Sequence, residues 1–298
     1  MREPFPHVLN VISPEPVALA APLRALAAEH GAAVGEIDWL APLRAFDLPF
    51  LDRPVAVLSA ARAMAGEVAA DINVVPAENR RKKLLIADMD STIIDCEVLD
   101  ELADLAGVKE KVAPLTEAAM RGEIAFETAL RQRAAFLAGL PVSLLERVYR
   151  ERVRINPGAR ELVATMRAHG ARAMLVSGGF AFFTQRVAKA CGFESEQANT
   201  LLHDERVFTG KVAEPILGRD AKLCALTKAA ADMNIPLADT LAVGDGANDL
   251  AMIEAAGLGV AFRAKAVLTR AADAILNHGD LTALLFLQGY REDEFVIA

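Results

Sequence analysis

The sequence predicts an α/β protein: a doubly wound parallel sheet with a helical cap inserted after its first strand, preceded by a small α+β domain. Three observations predict it. From Lys83 onward, short apolar runs alternate with helical stretches, as in a parallel sheet covered by helices on both faces. One long segment, about 96–156, interrupts that alternation and holds no strand-like run. The region before Lys82, the first lysine of the chain, is rich in Ala, Val and Pro and has its own pattern.

In the first region, His7 to Ser13 reads as a strand and Ala18 to His30 as a helix ended by Gly31. Two further apolar runs lie around Ala33 to Leu40 and Ala69 to Val75. Together they suggest a ferredoxin-like module over residues 1–78, resembling amino-acid-binding regulatory domains. Amino-acid sensing or assembly into a homodimer are the roles such a module suggests. Pro76 to Lys83, charged and without apolar periodicity, reads as the linker to a second domain at 79–298.

In the second region, Leu84 to Ala87 is short and wholly apolar, fit for a strand buried on both faces. Asn156 and Pro157 read as N-cap and first residue of a helix that Gly170 closes. Ala171 to Val176 follows as a strand, and Phe180 to Cys191 as a helix stopped by Gly192. Ala198 to Ile216, with its Thr-Gly pair, reads as a hairpin. Arg219 to Asn234 is a helix, Thr240 to Val243 a strand, Asn248 to Ala256 a helix and Leu258 to Phe262 a strand. The segment 96–156 therefore enters after the first strand, over the sheet edge where such folds bind ligands. An insertion there is placed to be a lid.

Composition narrows the function classes. Hydrophobic residues make up 53% of the 298, enough for a sizeable core and too many for long disorder. The formal net charge of −8 repels polyphosphate backbones, so nucleic acid is not the expected partner. It also means that a phosphate site needs local cations or oriented backbone N–H groups. Cys96, Cys191 and Cys224 are far apart and read as reduced thiols of a cytoplasmic protein. No segment reaches the roughly 20 apolar residues of a membrane span.

Four clusters carry chemistry. The first, Asp88-Met89-Asp90-Ser91-Thr92, follows the Leu84 strand. Carboxylates two residues apart on an extended chain share a face and raise each other's pKa unless a cation intervenes or one keeps a proton. Either remedy serves catalysis: one carboxylate can bind a divalent metal and attack phosphorus, and the other can protonate a leaving alcohol. An acidic turn is the alternative reading. The second, Gly244-Asp245-Gly246-Ala247-Asn248-Asp249, follows the Thr240 strand and offers hard oxygen ligands suited to Mg²⁺. Helix capping accounts for Asn248 or Asp249 but not for Asp245 as well. The third, Ser177-Gly178-Gly179, supplies a hydroxyl and backbone N–H groups at a helix start, an anion cradle or an ordinary turn. The fourth is Lys222, a cation near the start of the Arg219 helix, where it opposes the helix dipole.

In this order and context the four clusters resemble the motifs of the haloacid dehalogenase superfamily, from Lys83 to about His278. The resemblance implies that Asp88 is the nucleophile and Asp90 the general acid and then base. It implies Mg²⁺ held by Asp88, the Asp90 backbone carbonyl and Asp245, with Asn248 and Asp249 holding the metal's waters and the loop. Ser177, Gly178 and Asn248 would meet the substrate, and Lys222 would neutralise charge between nucleophile and phosphate. A narrower resemblance, to the phosphoserine phosphatase branch, rests on the insertion. Glu97 lies in Asp95-Cys96-Glu97-Val98-Leu99-Asp100-Glu101, and Phe126, Leu130, Arg133 and Leu137 form one helical stripe within the lid. It implies that Glu97 takes a substrate ammonium group, Arg133 a carboxylate, and Phe126 excludes water. Cys96 stands where many relatives carry a polar residue. The implied activity is hydrolysis of O-phospho-L-serine, the last step of serine biosynthesis. The alternatives are a sister phosphatase or phosphotransferase acting on phosphothreonine or phosphohomoserine, or a non-catalytic sensory module.

Overall fold

A computed structural model of the chain describes residues 5–30, 32–66, 68–120 and 123–297. Gly31, proposed to end the first helix, and Arg121 and Gly122 of the lid segment lie outside the described residues.

The N-terminal elements run β1 (His7–Ile12), α1 (Pro16–Glu29), β2 (Asp38–Ala41), β3 (Ala45–Phe50), α2 (Pro54–Ala65) and β4 (Asp71–Pro76). The antiparallel order is β2-β3-β1-β4, the ferredoxin-like arrangement that the sequence suggests. Sequence patterning passes over β3 and α2. In β3, Phe46, Leu48 and Phe50 point to α1 and α2 and are fully buried, but Asp47 and Pro49 between them hide the strand signal.

The opposite face of this sheet packs on the rest of the chain, and it is partly polar. Asn10 Nδ2 donates to Asp47 Oδ1 at 2.7 Å and to the Phe286 carbonyl at 3.1 Å. Arg80 NH1 meets Asp47 Oδ2 at 2.5 Å. Asn73 makes two bonds to the backbone of Ile275, at 2.9 and 2.8 Å. Asp71 accepts the N–H groups of Asn277, His278 and Gly279. The segment Pro76 to Lys83, read from sequence as a linker, is thus a clamp. Two of its charges, Arg80 and Lys82, point inward: the Lys82 ammonium donates to the carbonyls of Asn79 and Ala238 at 2.8 and 2.7 Å.

The second region begins with β5 (Leu84–Ala87) and continues through four helices, α3 (Val98–Leu105), α4 (Lys109–Met120), α5 (Phe126–Ala135) and α6 (Ser143–Glu151). These occupy the strand-free insertion. Then come α7 (Ala159–Ala168), β6 (Arg172–Phe180), α8 (Ala181–Cys191), β7 (Ser195–Asn199), β8 (Leu201–His203), β9 (Phe208–Val212), α9 (Arg219–Asp232), β10 (Thr240–Gly244), α10 (Leu250–Ala255), β11 (Leu258–Phe262), α11 (Ala266–Thr269), β12 (Ala274–Leu276) and α12 (Ala283–Leu287). The six-stranded order is β12-β11-β10-β5-β6-β7, and every pairing is parallel. Leu85 and Ala87 pack toward α7, α8 and α12, whereas Leu84 and Ile86 pack toward α9, α10 and α11. Helices on both faces explain why these strands read as continuous apolar runs.

Two local readings are corrected. Asn156 and Pro157 do not start α7: the helix begins at Ala159 with Gly158 as N-cap. The Asn156 amide donates to the Thr92 carbonyl at 2.8 Å instead, a long-range bond that outcompetes local capping. The hairpin read in Ala198 to Ile216 is present as β8 paired antiparallel with β9, but the Thr209-Gly210 pair lies inside β9 and not at the turn. Gly210 has φ +75°, and a Cβ there would stand 2.8 Å from Ala138 Cβ, so the glycine serves close approach to the cap.

Candidate active site

From β5 the chain moves to β6 and β7 on one side, and β10 to β12 run out on the other. The direction reverses at β5, and ligands of open α/β sheets bind at such a reversal, outside the carboxyl ends of the strands. Three of the four clusters lie there: Asp88 just after β5, Ser177-Gly178-Gly179 at the end of β6, and Asp245 just after β10. The fourth, Lys222, comes up from the first turns of α9.

Asp88 and Lys222 are 3% and 2% exposed. Lys222 Nζ lies 2.6 Å from Asp88 Oδ1 and also bonds Asp249 Oδ1. The other oxygen of Asp249 accepts the N–H groups of Asp245 and Gly246 at 3.2 and 3.1 Å. Asp249 thus accepts three hydrogen bonds and ties the loop after β10 to the lysine. Gly244 makes room for it: a Cβ there would lie 2.4 Å from Asp249 Cγ. Burial alone would lower the Lys222 pKa, but Asp249 and Asp88 outweigh it and hold the ammonium above its usual value.

The carboxylates outnumber the cation. Burial, reinforced by Asp249, pushes Asp88 well above the ordinary range despite Lys222. Burial and Asp249 likewise push Asp245 up to about 6. Oxygens of Asp88, Asp245 and Asp249 all lie within 4.8 Å of one another. Asp249 is engaged by Lys222 and the loop N–H groups, whereas Asp88 and Asp245 keep oxygens free for a metal. A hard divalent cation fits this donor set and relieves the charge excess.

Asp90 faces the same space. Its Oδ1 accepts the Val98 N–H at 3.0 Å and its Oδ2 accepts the Ser177 hydroxyl at 3.1 Å. Burial raises its pKa to about 7, the Glu97 carboxylate adds to the rise, and the two hydrogen bonds oppose it. The intervening Ser91 adopts φ 55° and its hydroxyl donates to Glu97 Oε1 at 2.8 Å. Asn248 stands half-buried in the same turn as Asp249.

The cap supplies the roof. Phe126, the first residue of α5, lies over Gly178: a Cβ on that glycine would come within 2.9 Å of its ring. Leu130 and Leu137 of the stripe are buried at 1% and 0% exposure. Arg133 is half-buried, with Nε bonded to the Ala129 carbonyl at 3.3 Å and NH1 to Thr116 Oγ1 at 3.4 Å. Burial lowers its pKa, while Asp100, Glu97 and Asp90 pull the other way. Sequence reasoning missed Thr116, which props Arg133 from α4, and Lys265, whose Nζ lies 3.9 Å from Asp245 Oδ2. Neither has a local signal, since each acts on a residue distant in sequence.

The family described as haloacid dehalogenase-like hydrolase matches residues 85–254, from β5 through α10 and so across all four clusters. This chain belongs to that family. Among curated relatives, the phosphoserine phosphatase of Archaeoglobus fulgidus is 43% identical over 206 residues, covering 69% of this chain and 60% of that protein. That of Albidiferax ferrireducens is 44% identical over 210 residues, covering 69% of this chain and 89% of its own length. The chain spans only 53–60% of the length of three curated relatives that it matches. Among solved structures, a haloacid dehalogenase family hydrolase from Salmonella enterica serovar Typhi superposes with a TM-score of 0.82 at 27% identity, covering 94% of this chain and 97% of that one. A phosphoserine phosphatase held as an analogue of its phospho-aspartyl intermediate gives 0.65 at 38% identity, covering 69% of this chain and 98% of that one. The acidic cluster sits at the carboxyl edge of the sheet. Among the described residues, no helix is long and apolar enough to cross a membrane.

Proposed function

We propose that this chain is a Mg²⁺-dependent phosphatase that hydrolyses O-phospho-L-serine through an acyl phosphate on Asp88. The observation that carries this reading is the buried Asp88–Lys222 pair at the carboxyl edge of the sheet, with Asp90 held beside it by Ser177 and the cap bearing Arg133. The names of the relatives support it. On this reading residues 79–298 form the catalytic domain, 96–156 its cap and 1–78 a small N-terminal domain. The unpaired thiols suit a reducing cytoplasm.

Asp88, Asp245 and the Asp90 carbonyl would hold the ion, which when bound supplies charge neutralisation and Lewis acidity at the phosphoryl oxygens. Arg133 grips the substrate carboxylate, Glu97 its ammonium group, and Phe126 closes over both. An Asp88 oxygen bonds to phosphorus as the P–O bond to serine breaks, and Asp90 gives its proton to the departing serine oxygen. Lys222 and the Ser177-Gly178 cradle stabilise the transferring phosphoryl group. Asp90, now ionised, takes a proton from the water that attacks the aspartyl phosphate and releases inorganic phosphate.

The test is phosphate release over a panel of esters, with and without Mg²⁺. Phosphoserine should lead the panel, and turnover should vanish in chelator; phosphothreonine or phosphohomoserine in the lead would move the assignment to a sister activity. In the same panel, Arg133→Ala should lower kcat/KM for phosphoserine by about 10²-fold, the worth of a lost charge-assisted contact. An ester without a carboxylate should be nearly unaffected. Equal losses on both would remove Arg133 from substrate recognition.

Asp90 also sets a pH dependence. Its carboxyl is raised from 3.8 to about 7, so the proton donor persists through the acidic and neutral range and is lost above. Phosphorylation of Asp88, measured by rapid quench, should therefore slow by up to about tenfold per pH unit above pH 7. A rate flat across that range would exclude Asp90 as the acid.

A further inference from the structure

We propose that Asn199 is a positioning residue that sets the spacing between the phosphate cradle and the helix bearing Lys222. The proposal rests on the phosphatase reading above. Asn199 ends β7, outside the four clusters, and is 2% exposed. Its Nδ2 donates to the Gly178 carbonyl at 2.9 Å and to the Leu217 carbonyl at 3.2 Å, and its Oδ1 accepts the Leu217 N–H at 2.7 Å. Both donor hydrogens and the acceptor are thus spent on two backbone segments.

Each segment belongs to the site. The carbonyl that Asn199 holds is one end of the Gly178–Gly179 peptide unit, whose N–H donates to Ser177 Oγ at 2.8 Å. Ser177 in turn donates to Asp90. A peptide pinned at both ends presents its neighbours' N–H groups in one fixed direction. At the other side, Leu217 directly precedes Gly218, the N-cap of α9, and Lys222 stands one turn further on. The hydrogen-bonded path therefore runs from Asp90 through Ser177, the Gly178–Gly179 peptide and Asn199 to the start of the lysine helix. Only a side-chain amide satisfies two carbonyls and one N–H at once. A carboxylate of the same shape keeps the Leu217 N–H bond but faces both carbonyls with oxygen.

The test compares Asn199→Ala and Asn199→Asp with a control, Asn73→Ala. Asn73 also makes three side-chain hydrogen bonds, to Ile275 and Arg62, but it lies at the N-terminal sheet. Turnover of phosphoserine is measured below the thermal transition of each variant, with inhibition by inorganic phosphate alongside. The Asn199 variants should lose kcat by about 10–100-fold, the effect of a misplaced reacting group. Their KM should stay within about threefold, because Arg133 and Glu97 are untouched, and phosphate should inhibit them more weakly. Asn73→Ala should keep kcat within about twofold. Asn199→Asp keeps the shape of the side chain and answers the question if the alanine variant does not fold. Wild-type kcat in either folded Asn199 variant, or a kcat loss matched by Asn73→Ala, overturns this proposal alone. A wild-type protein that releases no phosphate overturns the phosphatase reading and this one with it.

Discussion

Asp88→Asn should reduce phosphoserine turnover by on the order of 10⁴-fold or more, the scale of removing a covalent nucleophile. It should nevertheless leave the metal-free protein at least as heat-stable as the parent. Both effects come from the same carboxyl. Its pKa is raised well above 3.8, first by burial and then by Asp249. A carboxyl raised in the folded state costs stability once pH exceeds its unfolded value, and the cost grows until pH passes the folded one. The amide carries no such cost and still accepts from Lys222. A thermal scan in chelator at neutral pH checks this: a clear fall in Tm would mean that Asp88 serves the fold and not the chemistry.

Lys222 predicts the opposite pattern. Lys222→Met removes the cation that contacts both Asp88 and Asp249 and strands two buried carboxylates. Removing one member of a buried pair costs about 3–5 kcal/mol, so the metal-free variant should unfold well below the parent. Mg²⁺ should recover more stability in the variant than in the parent, because it supplies the missing positive charge. Turnover should fall by about 10³-fold, as for loss of a preorganised charge at the transferring group. Chemical denaturation with and without Mg²⁺ measures the first effect and phosphate release the second. A variant as stable as the parent in chelator would show that the pair contributes little to this pocket.

The parts of the protein legible in its sequence are those with a local signature. A wholly apolar run such as Leu84 to Ala87 announces a strand covered on both faces, and a carboxylate pair just beyond it announces an edge where ligands bind. The strand-free insertion is legible for the same reason, since helices α3 to α6 fill it. What stayed hidden depends on distant partners. Strand β3 is masked by Asp47, which is buried only because Arg80 and Asn10 meet it. The same pairing turned an apparent linker into a clamp. Asn156 has the local chemistry of a cap, yet the Thr92 carbonyl claims it. Asn199 and Thr116 act through residues far along the chain, and no spacing rule reaches that far.

The whole account turns on whether the Asp88 carboxylate becomes phosphorylated. Acid quench of the enzyme during turnover of labelled phosphoserine with Mg²⁺, followed by peptide mapping, reads this directly. The account predicts one labelled phosphoryl group on the peptide that carries Asp88, absent in Asp88→Asn. Turnover with no label on that peptide, or label on another side chain, would contradict it.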